Sequence, residues 1–470
     1  MMPWTTDFLL PAVLTLGFLQ GLRWMRSPET AVRGNRLGAG CMALAVAFAV
    51  WRHGVFWLPQ AWTALVLGAA LGLALAHRVK TIQMPQLVAL LNGFGGAASA
   101  LVIAAMIPDL TPAAGPWSWL TAAAALSVGS ATFSGSLVAA GKLQGYLAGR
   151  PLRFTGQNLL LRGLGALGLF LLAAAGVLQQ PGWLFALTAL ALLYGLLLAM
   201  RVGGADMPVV ISFLNSLSGI AAAISGLALQ SPLAAGVGTL VGVAGLILTR
   251  LMCRAMNRNL AAVLGGFATA DQERPGEAGG EPAAATRASD SDSDSAPLDA
   301  SHIPALLQAA RRVLIVPGYG MALSQAQQAV KNLMDALEAA GKEVKVAVHP
   351  VAGRMPGHMH VLLAEVGVGV DKLYDMAKIN HEFAETDVVV AVGACDVINP
   401  AATTAKGTPI SGMPILRAVD ARAVIVCNLD EQPGYSGVAN TLYQDPHVIT
   451  CWGDAAQTVP ELTRQFASVT

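Results

Sequence analysis

The sequence predicts a multi-span α-helical membrane domain followed by an α/β domain built on an open, mainly parallel sheet. Across 470 residues, 54% are hydrophobic and 12% are charged, and this charged share is about half that of an ordinary soluble protein. Between Phe8 and Phe267 the apolar runs reach about 17–25 residues, a length that crosses a bilayer. From Ile303 onward charged residues return and the apolar runs shorten to strand length. The second part is therefore predicted to be a separate α/β domain.

About nine spans are predicted in the first part, at residues 8–22, 37–51, 58–76, 85–107, 119–141, 159–178, 183–200, 208–229 and 233–249. Arginine and lysine, Lys142 among them, concentrate in the connections after the first, third, fifth, seventh and ninth spans. The opposite loops hold little that is basic beyond Arg52. By the positive-inside rule, the N-terminus lies outside and the C-terminal domain lies in the cytoplasm.

The membrane part contains an internal repeat. Met84-Pro-Gln-Leu-Val-Ala-Leu-Leu-Asn92 aligns without gaps to Met207-Pro-Val-Val-Ile-Ser-Phe-Leu-Asn215, 123 residues later. Both copies open spans that enter from the cytoplasmic side, so they are predicted to be parallel, related by an axis along the membrane normal. Pro85 and Pro208 are predicted to occupy the first helical turn, where a missing N–H costs little.

Asn92 and Asn215 lie about eight residues into their spans, roughly 12 Å deep at a rise of 1.5 Å per residue. Two amides at matched depth either line a hydrated path or hold helices together through interhelical hydrogen bonds. Serines such as Ser134 add polar surface, and Asp206 is predicted at the cytoplasmic mouth of the eighth span. A proton path here is predicted to use water and amides, with a carboxylate at its entrance.

A flexible tether is predicted between the two domains. Residues 271–300 are rich in Pro, Gly, Ala, Ser and Asp, and no aromatic residue occurs between Phe267 and Tyr319. Such a segment cannot bury enough apolar surface to offset the entropy lost on ordering. The predicted division is 1–266 for the transmembrane domain, 267–302 for the linker and 303–470 for a Rossmann-like domain.

Five predicted strands alternate with helices in the second domain. The strands are 313–316, 344–348, 388–392, 423–427 and 448–451, and the helices include 326–340, 371–383 and 454–466. This alternation predicts a parallel sheet with helices on both faces, which binds ligands at the carboxyl ends of its strands. Gly318 and Gly320 follow the first strand and lead into a helix predicted at 324–330, where a glycine-rich backbone can approach a pyrophosphate. Because polar loops follow the other strands at the same edge, the domain is predicted to bind a dinucleotide.

Charge, cysteine and histidine usage exclude several classes of site. The formal net charge is +1 and no basic cluster is present, so nucleic acid is not an expected partner. The five cysteines form no CxxC pair, which argues against a disulfide framework or a zinc site. His349, His358 and His360 lack a carboxylate or thiol at ligand spacing, so no metal site is predicted.

Ten specific motifs occur in order along the chain. They are Met84-Pro…Asn92, Gly203-Gly-Ala-Asp-Met-Pro208, Met252-Cys-Arg-Ala-Met-Asn257, Pro317-Gly-Tyr-Gly-Met-Ala322, His349-Pro-Val-Ala-Gly-Arg354, Pro356-Gly-His-Met359, Val361-Leu-Leu-Ala-Glu365, Asn399-Pro-Ala-Ala402, Gly412-Met-Pro414 and Gly453-Asp-Ala455. Through these motifs the chain resembles, from end to end, the beta subunit of the proton-translocating NAD(P) transhydrogenase. The resemblance implies an enzyme of the bacterial inner membrane. In it, this subunit holds NADP(H), an alpha subunit holds NAD(H), and hydride transfer between them is coupled to proton movement.

The resemblance also implies partners and site residues. The implied partners are one or more alpha subunits, arranged as a dimer of alpha–beta units, and membrane lipid. Proton-path and coupling residues are expected at Asn92, Ser134, Asp206, Asn215 and Asp396. Contacts to the nucleotide are expected at Gly318, Tyr319, Gly320, Val351, Ala352, Gly353, Arg354, Met355, Pro356, Gly393, Ala394, Cys395, Asp396, Val397, Gly412, Met413, Asn428, Leu429, Asp430, Gly434, Tyr435, Asp454 and Ala455. No general acid or base is predicted, because hydride transfer mainly needs two nicotinamides held face to face without water.

The chain departs from the family pattern at two places. Before Gly434-Tyr435 the family has Lys-Arg-Ser, whereas this chain has Asn428-Leu-Asp430, and the family's Gly-Ala-Asn-Asp is replaced by Gly393-Ala-Cys-Asp396. Two cations suited to a 2′-phosphate are lost, and a carboxylate able to accept a hydrogen bond from a ribose 2′-hydroxyl is added. The prediction is weakened discrimination for NADP(H), with NAD(H) as an alternative ligand, and restoration of phosphate preference by Asn428→Lys with Leu429→Arg.

Two other classes of function are alternatives to the enzyme. A nucleotide-gated channel usually shows a carbonyl filter sequence or rings of charge, and neither is present in this sequence. A membrane protein that senses a nucleotide without transferring hydride is compatible with the loss of the phosphate-binding cations. Dependence on an alpha subunit distinguishes the enzyme from both alternatives.

Overall fold

The computed structural model of the chain describes residues 4–25, 28–52, 54, 57–80, 83–147, 151–152, 154–203, 206–255, 259–265, 300–353, 357–405, 408, 410–434 and 436–468. The chain forms two compact units, Met1–Leu251 and Met252–Thr470. The predicted linker, residues 267–302, lies outside the described residues up to 299.

Long helices occupy the positions of the predicted spans in the part of the first unit that the structure describes. They are α1 (Trp4–Trp24), α2 (Pro28–Arg52), α3 (Pro59–Arg78), α4 (Met84–Met106), α5 (Gly115–Gln144), α6 (Gln157–Leu178), α7 (Pro181–Met200), α8 (Met207–Ala228) and α9 (Pro232–Ala255). Eight of these helices are long and apolar enough to cross a membrane, and α1 contributes a shorter apolar stretch, Phe8–Trp24. Apolar helices of this number and length indicate a membrane protein. A short helix, α10 (Leu260–Gly265), follows in the second unit.

Helix α5 is the centre of the membrane unit and packs against α4, α7 and α8. Small residues make this packing close. A Cβ placed on Gly96 of α4 would lie 2.7 Å from the carbonyl oxygen of Gly129, and one on Gly195 of α7 would overlap the carbonyl of Ala131. Helices in lipid associate mainly through such close contact, because lipid tails are as apolar as the side chains they would replace.

The second unit contains a six-stranded parallel sheet. Its strands are β1 (Arg312–Pro317), β2 (Glu343–Val348), β3 (Leu373–Asp375), β4 (Val388–Val392), β5 (Ala423–Asn428) and β6 (Val448–Trp452). They lie in the order β3-β2-β1-β4-β5-β6, with every neighbouring pair parallel. This is the strand order of the doubly wound dinucleotide fold, with its switch point between β1 and β4. The predicted fold class is confirmed.

Helices surround this sheet. They are α11 (Ile303–Ala309), α12 (Tyr319–Leu323), α13 (Gln327–Ala339), α14 (His358–Glu365), α15 (Met376–Ile379), α16 (Ala401–Thr404) and α17 (Ala455–Ala467). Helix α13 buries Val330, Leu333, Met334 and Leu337, which recur every three or four residues on one face. It packs against α17, which in turn contacts β5.

Two predicted helices of the α/β domain were wrong in position. The helix predicted at 371–383 is replaced by a short 3-10 turn, the edge strand β3 and the four-residue helix α15. Three residues of β3 pair with the end of β2, and so short a strand has no periodic pattern to identify it. The helix predicted at 324–330 is split, because Gln325 adopts a positive φ of 54° between α12 and α13.

Candidate functional site

The turn after β1 lies directly against the end of β4, where the strand order reverses. The Gly318 N–H donates to the carbonyl of Val392 at 2.8 Å, and the Gly320 N–H donates to that of Gly393 at 2.9 Å. A Cβ on Gly318 would overlap the Gly393 carbonyl, and Gly393 itself has a φ of 64°. Side chains are therefore excluded from both sides of this contact. The crevice at such a switch point is where open α/β sheets bind ligands.

The helix after this turn differs from the predicted one. Helix α12 has five residues, with Gly318 before it and Tyr319 at its first position. A helix this short has a small macrodipole, so little attraction for an anion arises from the helix itself. The main contribution of the turn to the site is steric, because its glycines place no side chain at the carboxyl edge of β1 and β4.

Asp396 lies in the loop after β4 and is 2% exposed. Its two carboxylate oxygens accept hydrogen bonds from the Ser436 hydroxyl at 2.5 Å and from the Ser436 N–H at 3.1 Å. A Cβ on Gly434 would approach Asp396 Oδ2 to 2.6 Å. Burial raises the pKa of Asp396, and the bonds from Ser436 partly oppose that shift. The carboxylate thus links the β4 loop to the loop after β5.

The two departures from the family pattern, Cys395 and Asn428, share a partner. The Asn428 amide donates to the carbonyl of Ala394 and to the Tyr443 hydroxyl, each at 2.8 Å. The Cys395 thiol contacts the same hydroxyl, and its carbonyl accepts from the Asn440 amide at 3.1 Å. Burial raises the pKa of both Cys395 and Tyr443. This network of neutral groups lies between the carboxyl ends of β4 and β5.

Of the three residues that replace Lys-Arg-Ser, only the second and third face solvent. Asn428 is 7% exposed and ends β5, whereas Leu429 is 72% exposed. Asp430 is also exposed and accepts a hydrogen bond from the Gln432 N–H at 3.0 Å. The predicted reversal through Asn428→Lys would therefore place a cation at a buried position and remove two hydrogen bonds.

His349 ties together two of the predicted nucleotide loops. Its Nε2 donates to the carbonyl of Pro414 at 2.8 Å, and its Nδ1 accepts from the Val351 N–H at 3.2 Å. Both bonds require the neutral ring with its proton on Nε2. Burial lowers the pKa of His349 to about 4. No group of three His, Cys, Asp or Glu side chains suited to a metal occurs in the described ranges.

Lowering the pH is expected to destabilise the α/β domain through His349. The folded pKa, about 4, lies below the usual value of 6.5. The stability contribution is therefore complete above about pH 6.5 and is lost as the pH falls toward 4. At the acid end the loss is about 3 kcal/mol. Urea denaturation of the full chain in detergent measures this slope, which His349→Gln is expected to reduce.

The matched control for that experiment is His360, which is partly exposed and faces Asp375 at 3.6 Å. His360→Gln replaces a partly exposed ring with the same amide and is expected to change the stability of the domain much less than His349→Gln does. Equal slopes in the parent, His349→Gln and His360→Gln proteins would show that the buried ring does not control acid stability.

The other described residues that were predicted to contact the nucleotide lie at the same sheet edge or beside it. The Gly412 N–H donates to the Ala402 carbonyl at 2.7 Å, which places Met413 in a small buried apolar cluster. Asp454 caps α17 by accepting from the Ala456 N–H at 2.9 Å. The other predicted contacts in the described residues include the buried Val351, Ala352, Val397 and Ala455 and the half-buried Gly353. Arg354, Met355, Pro356 and Tyr435 lie outside the described residues.

In the membrane unit, Asn92 and Asn215 differ in their contacts. The Asn92 amide donates to the carbonyl of Ile211 at 3.2 Å and so joins α4 to α8, the two copies of the repeat. The half-buried Asn215 amide makes no hydrogen bond to any described residue. Pro85 and Pro208 occupy the first turns of α4 and α8, as predicted.

Ser134 and Ser136 lie on different faces of α5. Ser134 bonds back to the carbonyls of its own helix, and a Cβ on Gly195 of α7 would overlap its hydroxyl. Ser136 is fully buried beside Gly93 of α4, and its hydroxyl has no partner among the described residues. Ser136, and not Ser134, therefore lies beside Gly93, the residue that follows Asn92 in α4. Only three-dimensional packing distinguishes the two serines.

Asp206 and Lys142 lie near the predicted cytoplasmic ends of helices. Asp206 is half-buried at the N-cap of α8. Lys142 was counted among the loop cations, but it is 5% exposed. Its ammonium donates to three carbonyls at the end of α7, those of Ala199, Met200 and Val202, at 3.3, 2.7 and 2.8 Å. A cation at a helix C-terminus satisfies carbonyls that have no partner within the helix.

The fold and the site define the class: a membrane protein that carries a Rossmann-like α/β domain. The family model described as NAD(P) transhydrogenase beta subunit matches residues 9–465. "NAD(P) transhydrogenase subunit beta" of Rhodospirillum rubrum is 40% identical over 472 residues, which cover 98% of this chain and 99% of the relative. A second relative of that name, from a strain of the same species, matches with the same identity and coverage.

The chain belongs to the NAD(P) transhydrogenase beta subunit family, and the predicted identity is confirmed. It is thus part of the proton-translocating transhydrogenase enzyme, and an alpha subunit is its implied partner. Neither a channel nor a stand-alone sensor is favoured.

Proposed function

We propose that residues 303–470 bind a nicotinamide dinucleotide at the β1–β4 edge and that residues 1–266 carry protons. The contact between Gly318, Gly320 and Gly393 is the observation that carries the first part, because it keeps this edge free of side chains. The boundary between the two parts is proposed to be a linker at 267–302. The bound dinucleotide supplies the ring that gives or takes a hydride, and the alpha subunit holds the second dinucleotide.

The chain's own residues position and shield that ring. The glycine turn and the loops at 351–356 and 412–413 hold the dinucleotide at the sheet edge, with His349 joining the two loops. Buried apolar residues such as Val397 and Met413 exclude water, which protects the hydride from side reactions. No side chain is proposed as a general acid or base.

Asp396 is proposed as a coupling residue on this side of the enzyme. Its carboxylate is buried between the β4 loop and the loop after β5, and burial raises its pKa. A raised pKa brings the carboxyl group nearer to the pH range in which its protonation responds to its surroundings. Nucleotide exchange at the neighbouring loop is proposed to alter its protonation.

The proposed function is tested with the full chain and its alpha subunit reconstituted in proteoliposomes. NADPH is expected to reduce the acetylpyridine analogue of NAD⁺, observed by absorbance, with accompanying acidification or alkalinisation reported by a pH dye. Omitting the alpha subunit is expected to abolish reduction. Reduction that proceeds at full rate without that subunit, or without any pH change, would overturn the proposal.

Replacing the amide of Asn215 is expected to impair proton movement more than nucleotide binding. Asn215→Leu removes a polar group that has no partner in the described helices, so its loss costs little stability. Asn92→Leu is expected to impair proton movement as well and also to lose about 1 kcal/mol of stability, because it breaks the bond to Ile211. The measurements are the pH-dye signal, dinucleotide titration and thermal unfolding.

Gln144→Leu, at the exposed end of α5, is the control for these substitutions. It removes an amide that is not in the helix interior and is expected to leave proton movement unchanged. If Asn92→Leu and Asn215→Leu only unfold more easily, and pump normally once stabilised, the two amides hold helices together and do not line a proton path.

We also propose a multi-pass location in the bacterial inner membrane, with the C-terminal domain in the cytoplasm and a dimer of alpha–beta units. Arginine asymmetry supports the orientation. Helix α3 has no buried residue, so its apolar surface is available to lipid or another subunit. A protease site inserted after Ser295 is expected to be cut from the cytoplasmic side, and cleavage exclusively from outside would reverse the topology.

A further inference from the structure

Cys427 and Cys451 occupy facing positions on neighbouring strands, and together they are named the strand dithiol. β5 and β6 are parallel, and these two residues are partners in the register. Register partners on parallel strands direct their side chains to the same face of the sheet. Both cysteines are free thiols, so the two sulfur atoms lie side by side.

The two thiols differ in exposure and acidity. Cys427 is fully buried, whereas Cys451 is partly accessible. The Cys427 thiol hydrogen-bonds to the Cys451 sulfur, which raises the pKa of Cys427 and lowers that of Cys451. The thiolate is the reactive form of cysteine. Cys451 is therefore the sulfur that a small oxidant meets first, with Cys427 behind it.

A third group assists the buried thiol. The hydroxyl of Thr458, on α17, lies beside the Cys427 sulfur. This hydroxyl is buried and makes no hydrogen bond to a nitrogen or oxygen among the described residues. It is thus available to donate to the Cys427 sulfur as that sulfur loses its proton, which favours the second step of a disulfide exchange.

We propose that the strand dithiol is a redox modification site that a low-molecular-weight disulfide, such as oxidised glutathione, converts to an intramolecular disulfide. The Cys451 thiolate attacks one sulfur of the small disulfide, forms a mixed disulfide and releases one small thiolate. Cys427 then loses its proton and attacks the Cys451 sulfur, releasing the second small thiol. The protein loses two hydrogens and the small disulfide becomes two thiols, so atoms and electrons balance.

The spacing of the strands permits this bond. Neighbouring strands lie about 4.8 Å apart, within the range of roughly 4.4–6.8 Å between the Cα atoms of disulfide partners. Side chains that project in parallel must still lean together for the bond to close. The disulfide is therefore expected to pull the ends of β5 and β6 toward each other and to be readily reduced.

Each cysteine is followed directly by the last residue of its strand, at the carboxyl edge of the sheet. Asn428 bonds to the Tyr443 hydroxyl at 2.8 Å. Trp452 packs edge-on against the Tyr443 ring, with centroids 5.3 Å apart. The Gly453 N–H donates to the Asn428 carbonyl at 2.8 Å. Closing the disulfide is expected to shift Asn428 and Trp452, and so to disturb the contact that each makes with Tyr443. Because these residues lie at the edge of the sheet where the dinucleotide is proposed to bind, we expect weaker dinucleotide binding. This second consequence rests on the proposed function, whereas the disulfide itself does not.

The experiment uses the purified full chain in detergent, equilibrated in glutathione buffers of graded oxidation. Peptide mass spectrometry is expected to find one cross-link between the peptides holding Cys427 and Cys451, reversed by reduced glutathione. NADPH and NADH titrations of the same samples are expected to show about a tenfold rise in Kd on oxidation. Cys427→Ser is expected to trap glutathione on Cys451, and Cys451→Ser is expected to take up none at Cys427.

Cys395→Ser controls for a different pairing and is expected to retain the Cys427–Cys451 cross-link. A cross-link that involves Cys395, or glutathione that persists on Cys451 in the parent chain, would overturn the dithiol proposal. A cross-link that forms with unchanged Kd would overturn the link to binding alone. Reduced protein that binds no dinucleotide contradicts the proposed function and leaves the mass-spectrometric result to decide the dithiol.

Discussion

The purified full-length chain is expected to bind NADH at least as tightly as NADPH. The exposed loop after β5 presents Leu429 and Asp430, an apolar group and a carboxylate, and Asn428 is held in a neutral buried network. Each charge-assisted hydrogen bond is worth roughly 1.5–3 kcal/mol. Losing two lowers the affinity for a 2′-phosphate by about two orders of magnitude or more. Calorimetric titration in detergent measures both ligands directly.

The structure changes which substitutions should restore phosphate preference. Asn428→Lys removes bonds to Ala394 and Tyr443 and requires a buried cation to reach solvent. Leu429→Arg with Asp430→Ser leaves that network intact and changes only exposed positions. This pair is expected to raise NADPH affinity by about tenfold or more and to lower NADH affinity, because Asp430→Ser removes the carboxylate that accepts from the ribose 2′-hydroxyl. Glu431→Gln, which removes a neighbouring exposed negative charge, is the matched control and should change the ratio much less.

A clear NADPH preference in the parent chain would contradict the weakened discrimination. Another cation must then serve the phosphate. Arg417 is paired with Asp420 at 2.6 Å, so it would have to exchange that partner for the phosphate. Arg354 lies outside the described residues and is the next candidate. Arg354→Gln and Arg417→Gln, titrated with both nucleotides, identify which cation is responsible.

Gly393→Ala is expected to lower dinucleotide affinity by at least about a hundredfold. Gly393 adopts a φ of 64°, and its Cβ would overlap the backbone of Gly320. An alanine at this position therefore lowers the stability of the fold for two reasons. The left-handed conformation costs about 1–2 kcal/mol, and the β1 turn must also move away from β4. Binding is measured by titration with both dinucleotides, and stability by thermal unfolding.

Gly341 provides a closely matched control. Its φ is 76°, and a Cβ built on it meets nothing within 4 Å. Gly341→Ala is expected to lower the stability of the fold by about 1–2 kcal/mol, because alanine disfavours the left-handed conformation. Its dinucleotide affinity is expected to stay unchanged. If the two alanine variants bind dinucleotide equally well, the close contact between the β1 turn and β4 has no part in the site.

The coarse architecture can be predicted from the sequence because it depends on patterns that extend over many consecutive residues. Lengths of apolar runs identify the membrane helices, and alternation of short apolar runs with helices identifies the parallel sheet. Glycines at Gly318 and Gly393 mark the switch point, because a close backbone approach leaves no alternative residue type. Such features depend on the chain's own geometry, so one sequence suffices to predict them.

The details that the sequence leaves open depend on partners distant in sequence. From the sequence, Lys142 looks like one of the loop cations. It lies in the interior because its ammonium bonds to carbonyls at the end of α7. Ser134 and Ser136 are two residues apart on one helix, about 200° around its axis at 3.6 residues per turn. Which of them faces α4 depends on how α5 packs. Asn428 likewise gains its buried role from Tyr443, a residue on a different loop.

The order of the strands also has a consequence for biosynthesis. β1 pairs with β2 on one side and with β4 on the other, and β4 is made long after β1. Until β4 emerges from the ribosome, the hydrogen bonds from Gly318 and Gly320 have no acceptors and one edge of β1 is unpaired. At about 5–20 residues per second, that interval lasts several seconds. The glycine turn is thus completed late, and the nascent domain carries an open strand edge that is vulnerable to aggregation during this time.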